Sequence, residues 1–94
     1  MSAYVVALLQ IHDPERYARY AAGFLLTLKP FGGRLLAADT ELDVLEGARR
    51  GDKAVIIAFS DAAAAKAWAA SPAYRAIAVD RLAASEALVV LADG

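Results

Sequence analysis

Apolar residues fall along this chain in short dense runs separated by capped, amphipathic stretches. The first run, Ala3–Ile11 (AYVVALLQI), is rich in Val, Leu and Ile, has strand length, and stops at His12-Asp13-Pro14. Asp13 is a good helix cap, and Pro14 fits a first turn where its missing N–H costs nothing. From there Tyr17, Ala21, Phe24, Leu25 and Leu28 recur at helical spacing and predict one buried stripe, with Glu15 and Arg19 paired on the wet side. Lys29-Pro30 ends this helix and Gly32-Gly33 supplies a turn. Positions 34–38 and 42–46 (RLLAA and LDVLE) read as one strand, interrupted at Asp39-Thr40-Glu41. Positions 47–52 (GARRGD) read as a Gly-bounded hairpin loop, and Lys53–Phe59 (KAVIIAF) as the next strand. Ser60-Asp61 caps the Ala-rich helix Ala62–Ala70, and Ser71-Pro72 repeats the cap-plus-proline signal, so the helix breaks and restarts. Tyr74, Ile77, Ala78, Arg81 and Leu82 then share one face, and 86–92 (EALVVLA) forms the last strand.

The order β-α-β-β-α-β within 94 residues is the split βαβ plan of an α+β, ferredoxin-like fold, with both helical segments on one face of an antiparallel sheet. One domain over residues 1–94 is expected, since half the chain is too short for a core of its own. The usual strand order, 4-1-3-2, sets His12 beside the start of the last strand near Glu86.

A sheet covered on one face should alternate apolar and polar residues, and these strands do not. Strand one has Val5, Leu9 and Ile11 on one parity and Tyr4, Val6 and Leu8 on the other. Strand three has Val55, Ile57 and Phe59 against Ala54, Ile56 and Ala58, and strand four has Val89 and Leu91 against Leu88 and Val90. Helices cover one face; the other calls for a partner. A homodimer with sheets packed face to face is therefore expected.

Composition narrows the functions available. Hydrophobic residues make up 60% of the chain, 24 of them Ala, which suits a globular core and excludes disorder. Ten Lys+Arg against eleven Asp+Glu, without runs of like charge, leave no electrostatic footprint for nucleic acid or an anionic membrane. No apolar stretch reaches the ~18 residues of a membrane span, and Met1 to Ile11 lacks a signal peptide's basic start and cleavage site, so a cytoplasmic protein is expected. The absence of Cys and the single His leave no basis for a metal site or other cofactor within one chain.

Several features together resemble one family. They are Asp13-Pro14-Glu15 with Tyr17 and Tyr20, then Gly32-Gly33-Arg34, then Val44-Leu45-Glu46-Gly47. Phe59, Trp68, Ser71-Pro72-Ala73-Tyr74, and Arg81 seven residues on complete the set. In this order the chain resembles the small bacterial proteins grouped as domain of unknown function 1330, within the dimeric α/β-barrel superfamily. The resemblance spans almost the whole chain and implies a ferredoxin-like protomer and a two-fold dimer, with no established activity. The chain departs from that pattern at Ala38-Asp39-Thr40, where members often carry Arg-Gly-Gly, at Ala69 in place of an aromatic, and at Ala92-Asp93-Gly94 in place of a terminal Glu-Gly.

The candidate site residues each have a plain structural reading beside the chemical one. His12 is the side chain poised to shuttle protons near neutral pH, and reads first as a strand-end residue beside Asp13 or Glu86. As the sole His it is the one available haem ligand, and nothing else supports haem. Ser71 reads as a helix cap, because no G-x-S-x-G elbow surrounds it. Tyr17, Tyr20 and Trp68 read as core aromatics that could also line a pocket. Glu46, Arg49 and Arg50 read as solvated loop charges, with the family match favouring a role for Glu46, and Leu26 as a lone exposed apolar residue. Arg81 is the sharpest case, being a guanidinium on the stripe that should face the sheet. It either reaches outward at the helix C-terminus to pair with Glu86 or Glu46, or holds a ligand carboxylate or enolate with Tyr74 and Tyr20 as hydroxyl donors. His12 and Arg81 are thus the catalytic candidates, and Tyr20, Glu46, Trp68, Tyr74 and Arg81 the ligand-binding ones. Two function classes follow. One is an enzyme or binder acting on a small anionic or aromatic molecule in a pocket between helices and sheet; the other is a non-catalytic dimeric sensing or accessory module.

Overall fold

The computed structural model describes residues 2–94. Its elements are β1 (Ala3–Ile11), α1 (Pro14–Leu28), a 3-10 turn (Lys29–Phe31), β2 (Arg34–Asp39), β3 (Lys53–Phe59), α2 (Ala62–Ala70), α3 (Pro72–Ala84) and β4 (Ser85–Asp93). The strands form one antiparallel sheet in the order β2-β3-β1-β4, the ferredoxin-like arrangement. This sheet is open, with β2 and β4 as free edges; it does not close into a barrel.

The caps read from sequence are in place. Asp13 accepts the backbone N–H of Arg16 at 3.2 Å, and Asp61 that of Ala64 at 2.8 Å. Ser71 ends α2 and starts α3: its hydroxyl donates to the Trp68 carbonyl at 2.7 Å and accepts the Tyr74 N–H at 3.3 Å. Gly32 closes the 3-10 turn in the left-handed region (φ 67°), with its N–H on the Lys29 carbonyl. His12 does lie beside the last strand, where its backbone N–H donates to the Ala84 carbonyl at 2.9 Å, and Gln10 pairs with Glu86 in the ladder.

Three expectations are corrected. Residues 42–46 do not continue the second strand, which ends at Asp39. The Asp39 carboxylate accepts the Glu41 N–H at 3.0 Å and turns the chain off the ladder, so residues 40–52 form one irregular loop. That loop returns where Asp52 N–H meets the Leu9 carbonyl at 2.8 Å. The α1 stripe is rotated: Tyr17, Tyr20, Phe24, Thr27 and Leu28 are buried, whereas Ala21 and Leu25 are exposed. On α3, Leu82 points to solvent and Tyr74, Ala78 and Ala84 are buried.

The core lies between the helices and one sheet face, around Leu9, Leu28, Ile57, Phe59 and Trp68. Fully burying a side chain such as Leu9 or Leu28 contributes ~1.5–3 kcal/mol. Helix α1 packs closely on α3, and Arg16 Nε to Asp80 Oδ1 at 2.8 Å clasps the pair. On the opposite sheet face Tyr4, Val6, Leu8, Ile56, Leu88 and Val90 form an apolar layer with no element of this chain over it.

Candidate functional site

Helices α1 and α3 do not close fully on the sheet. Between them lies a cavity of about 190 Å³, walled by Val5, Leu9, Phe24, Val55, Ile57 and Trp68. Five further lining side chains carry polar atoms: Tyr17, Tyr20, Tyr74, Lys53 and Arg81. Neither Asp nor Glu lines it among the described residues.

The aromatic wall is a continuous chain of contacts. Ring centroids are 5.5 Å apart for Tyr17–Tyr20, 5.6 Å for Tyr20–Phe24 and 6.0 Å for Phe24–Trp68, the last edge-to-face. Trp68 and Tyr74 approach to 4.1 Å. Such pairs add ~0.5–1.5 kcal/mol beyond their area burial and hold the wall rigid. At the Trp68 end the polar atoms are matched internally. The indole N–H donates to Thr27 Oγ1 at 3.1 Å, and the Thr27 hydroxyl donates to the Phe24 carbonyl at 2.7 Å. The Tyr20 and Tyr74 hydroxyls share one hydrogen bond of 3.0 Å. That bond uses one of their two hydrogens and leaves the other free to donate.

The Tyr17 and Tyr20 phenols stay protonated. Burial raises the Tyr20 hydroxyl far above the ordinary tyrosine range, with Tyr74 adding to the effect. Burial raises Tyr17 as well, against the opposing pull of Arg81. They are donors near neutral pH, not phenolates.

The other end is unmatched. Arg81 Nε is buried and has no hydrogen-bond partner among the described residues. Its guanidinium carbon lies 5.9 Å from the Tyr20 ring centroid. The neighbouring carboxylate, Asp80, is turned one helical step away and engages Arg16 and Arg19 on α1. The pairing of Arg81 with Glu86 or Glu46 expected from sequence is not formed, because Glu86 sits in the sheet opposite Gln10 and Glu46 lies exposed in the 40–52 loop. Lys53 Nζ stands 4.8 Å over the Tyr17 ring centroid. Two cations with aromatic neighbours and no carboxylate among the walls give this end of the cavity a local excess of positive charge.

Of the sequence candidates, the structure brings Tyr20, Trp68, Tyr74 and Arg81 together at one cavity. His12 is exposed at the strand end and Glu46 is exposed on the loop; neither lines it. Lys53 was missed, although a signal was present. It shares the parity of Val55, Ile57 and Phe59, which places it on the helix-covered face. No group of three His, Cys, Asp or Glu side chains able to hold a metal occurs among the described residues. No helix among them is long and apolar enough to cross a membrane.

A four-stranded antiparallel sheet with this strand order, helices on one face and a cavity beneath them define a ferredoxin-like α+β protein. Residues 2–94 match the family model described as Domain of unknown function (DUF1330), and the chain belongs to that family. Among solved structures it is similar to a Rhodopseudomonas palustris protein of unknown function, RPA0582 (TM-score 0.83, 18% identity, covering 99% of this chain and 82% of that one). It is also similar to a dimeric ferredoxin-like protein of unknown function from Jannaschia sp. CCS1 (TM-score 0.72, 17% identity, 100% of both chains). A third is SnoaB, a cofactor-independent oxygenase from Streptomyces nogalater (TM-score 0.67, 16% identity, 99% of this chain and 92% of that one). No curated protein matches the sequence.

Proposed function

We propose that this chain binds a small aromatic anion in the cavity between helices and sheet. Arg81 receives the charged oxygen, Tyr20 and Tyr74 donate from the side, and Trp68 packs against the ring. The observation that carries this reading is the buried, unpartnered Arg81 Nε in a cavity lined by no carboxylate. An unpaired buried donor on a charged group costs several kcal/mol, so its persistence calls for an acceptor supplied from outside. The size suits a single-ring ligand, since an engineered apolar cavity of about 150 Å³ takes benzene.

The binding protein acts as a homodimer in this reading, its bare apolar sheet face meeting that of a second copy. Support comes from the double-sided apolar strands, from Leu88 and Val90 standing 57% and 45% exposed, and from the dimeric state of the Jannaschia neighbour. The likeness to an oxygenase is one of fold, and a fold hosts many activities; binding is common to the enzyme and the sensing-module readings.

Trp68 is the only tryptophan, so intrinsic fluorescence reports on the cavity directly. Benzoate is expected to change that signal saturably and the uncharged benzamide is not. Arg81→Met, which keeps the bulk and removes the charge, is expected to keep the fold and lose the benzoate response. Unchanged benzoate affinity in that variant overturns the reading.

A further inference from the structure

Lys53 is the one cavity residue with a charge that the reading above does not use. It opens β3 on the helix-covered face, opposite Leu9 in the ladder. The ion pairs among the described residues join Arg16 and Arg19 to Asp80, and leave Lys53 without a carboxylate. Its ammonium rests instead over Tyr17, the ring on which the field of Arg81 also acts. Tyr17 in turn contacts Tyr20, over which the Arg81 guanidinium lies. Two cations thus converge on adjacent rings of one wall, with like charges facing a cavity that offers them no counter-charge. A single carboxylate on Arg81 neutralises half of this. Stacking on Tyr17 is a weak interaction beside an ion pair, which leaves the ammonium free to take a better partner.

We propose that Lys53 is a second anion-binding group of this cavity, and that its ligand class is aromatic compounds carrying two ionised oxygen acids, one held by Arg81 and the other by Lys53. The inference rests on the pocket reading above and adds the second charge. The aromatic part follows from the wall of Tyr20, Phe24, Trp68 and Tyr74, and the single-ring scale from the cavity volume of about 190 Å³.

The test titrates the full chain, followed by Trp68 fluorescence, with benzoate and the three benzenedicarboxylates: phthalate, isophthalate and terephthalate. At least one dicarboxylate is expected to bind about tenfold more tightly than benzoate. Lys53→Met is expected to abolish that preference, and Lys53→Arg to restore it. Lys53→Gln serves as a second uncharged variant should Lys53→Met melt early. The inference is overturned if no dicarboxylate surpasses benzoate, or if the preference survives in an uncharged variant. Those outcomes leave Arg81-dependent benzoate binding standing. Silence of Trp68 towards all four acids overturns the pocket reading itself.

Discussion

The two faces of the sheet carry side chains of much the same kind and have opposite fates. On the helix-covered face Val5, Leu9, Val55, Ile57 and Phe59 are buried, and the polar atoms beneath α1 find partners in the Thr27–Trp68 and Tyr20–Tyr74 pairs. On the other face Tyr4, Val6 and Ile56 are only half-buried, while Leu88 and Val90 stand open. Hydrophobicity alone therefore does not say how a face is covered. The difference is one of specificity: the covered face is fitted around particular rings and hydrogen bonds, and the bare face is uniform enough to accept a flat, self-complementary surface.

Adjacent residues on β3 offer the strongest way to break this contrast. Ile57→Asp places a carboxylate at a position 2% exposed, between Val5 and Leu35 in the ladder. The cost of several kcal/mol is a large part of the ~5–15 kcal/mol that holds a domain together, and loss of a cooperative melt by circular dichroism is expected. Ile56→Asp alters the opposite face. A folded protomer with half the parent's mass in light scattering is expected there, and a parent-like dimer would show that this face is not the interface.

Thr27→Val probes the fitted face more gently. It strands the Trp68 indole N–H, whose acceptor is the Thr27 hydroxyl, in a buried site. About 1–2 kcal/mol should be lost, a Tm decrease of roughly 4–16 °C for a domain this size. The tyrosine pair predicts a pH effect. The unfolded chain releases a tyrosine proton near pH ~10, whereas burial holds the Tyr20 proton in the folded chain well above that. The stability from this proton is fully present below pH ~10 and declines above it, by about 1.4 kcal/mol per pH unit. Denaturant titrations across that range should show the loss, and Tyr20→Phe should flatten it. The smallest effect is expected at His12, exposed at the end of β1 and away from the cavity. His12→Gln should leave stability within about ±0.5 kcal/mol of the parent, the range typical of surface sites, in denaturant titrations. A larger change, or loss of a ligand response, would give His12 a functional role.

Much of the fold was legible because its signals are local. Asp13-Pro14, Asp61 and Ser71-Pro72 satisfy orphan N–H groups within three residues of themselves, so no distant contact is needed to place those helix starts. The end of β2 was not legible in the same way. The run at 42–46 has strand-like composition, but a strand exists only where a partner offers hydrogen bonds, and β3 begins too late to supply them. The α1 stripe failed for a related reason. Tyr20 and Ala21 are both compatible with a helical face, and the decision went to the side chain that could meet Tyr74 and Phe24. For the candidate site, residue type pointed to Tyr20, Trp68, Tyr74 and Arg81, which do meet at one cavity, and also to His12 and Glu46, which do not.

By itself, then, the sequence determined the element order, the helix caps and the presence of apolar residues on both sheet faces, because each depends on spacing along the chain. Tertiary structure alone decided which charges were left without partners. Asp80 and Arg81 are neighbours in sequence, yet the helix turns them apart: one clasps α1, and the other, half-buried, lines the cavity with its Nε buried and unpartnered. Lys53 became a cavity residue only when β3 met β1 and the helices closed over that face. An ion pair depends on where side chains meet in space, and that is set by packing between elements far apart in the chain.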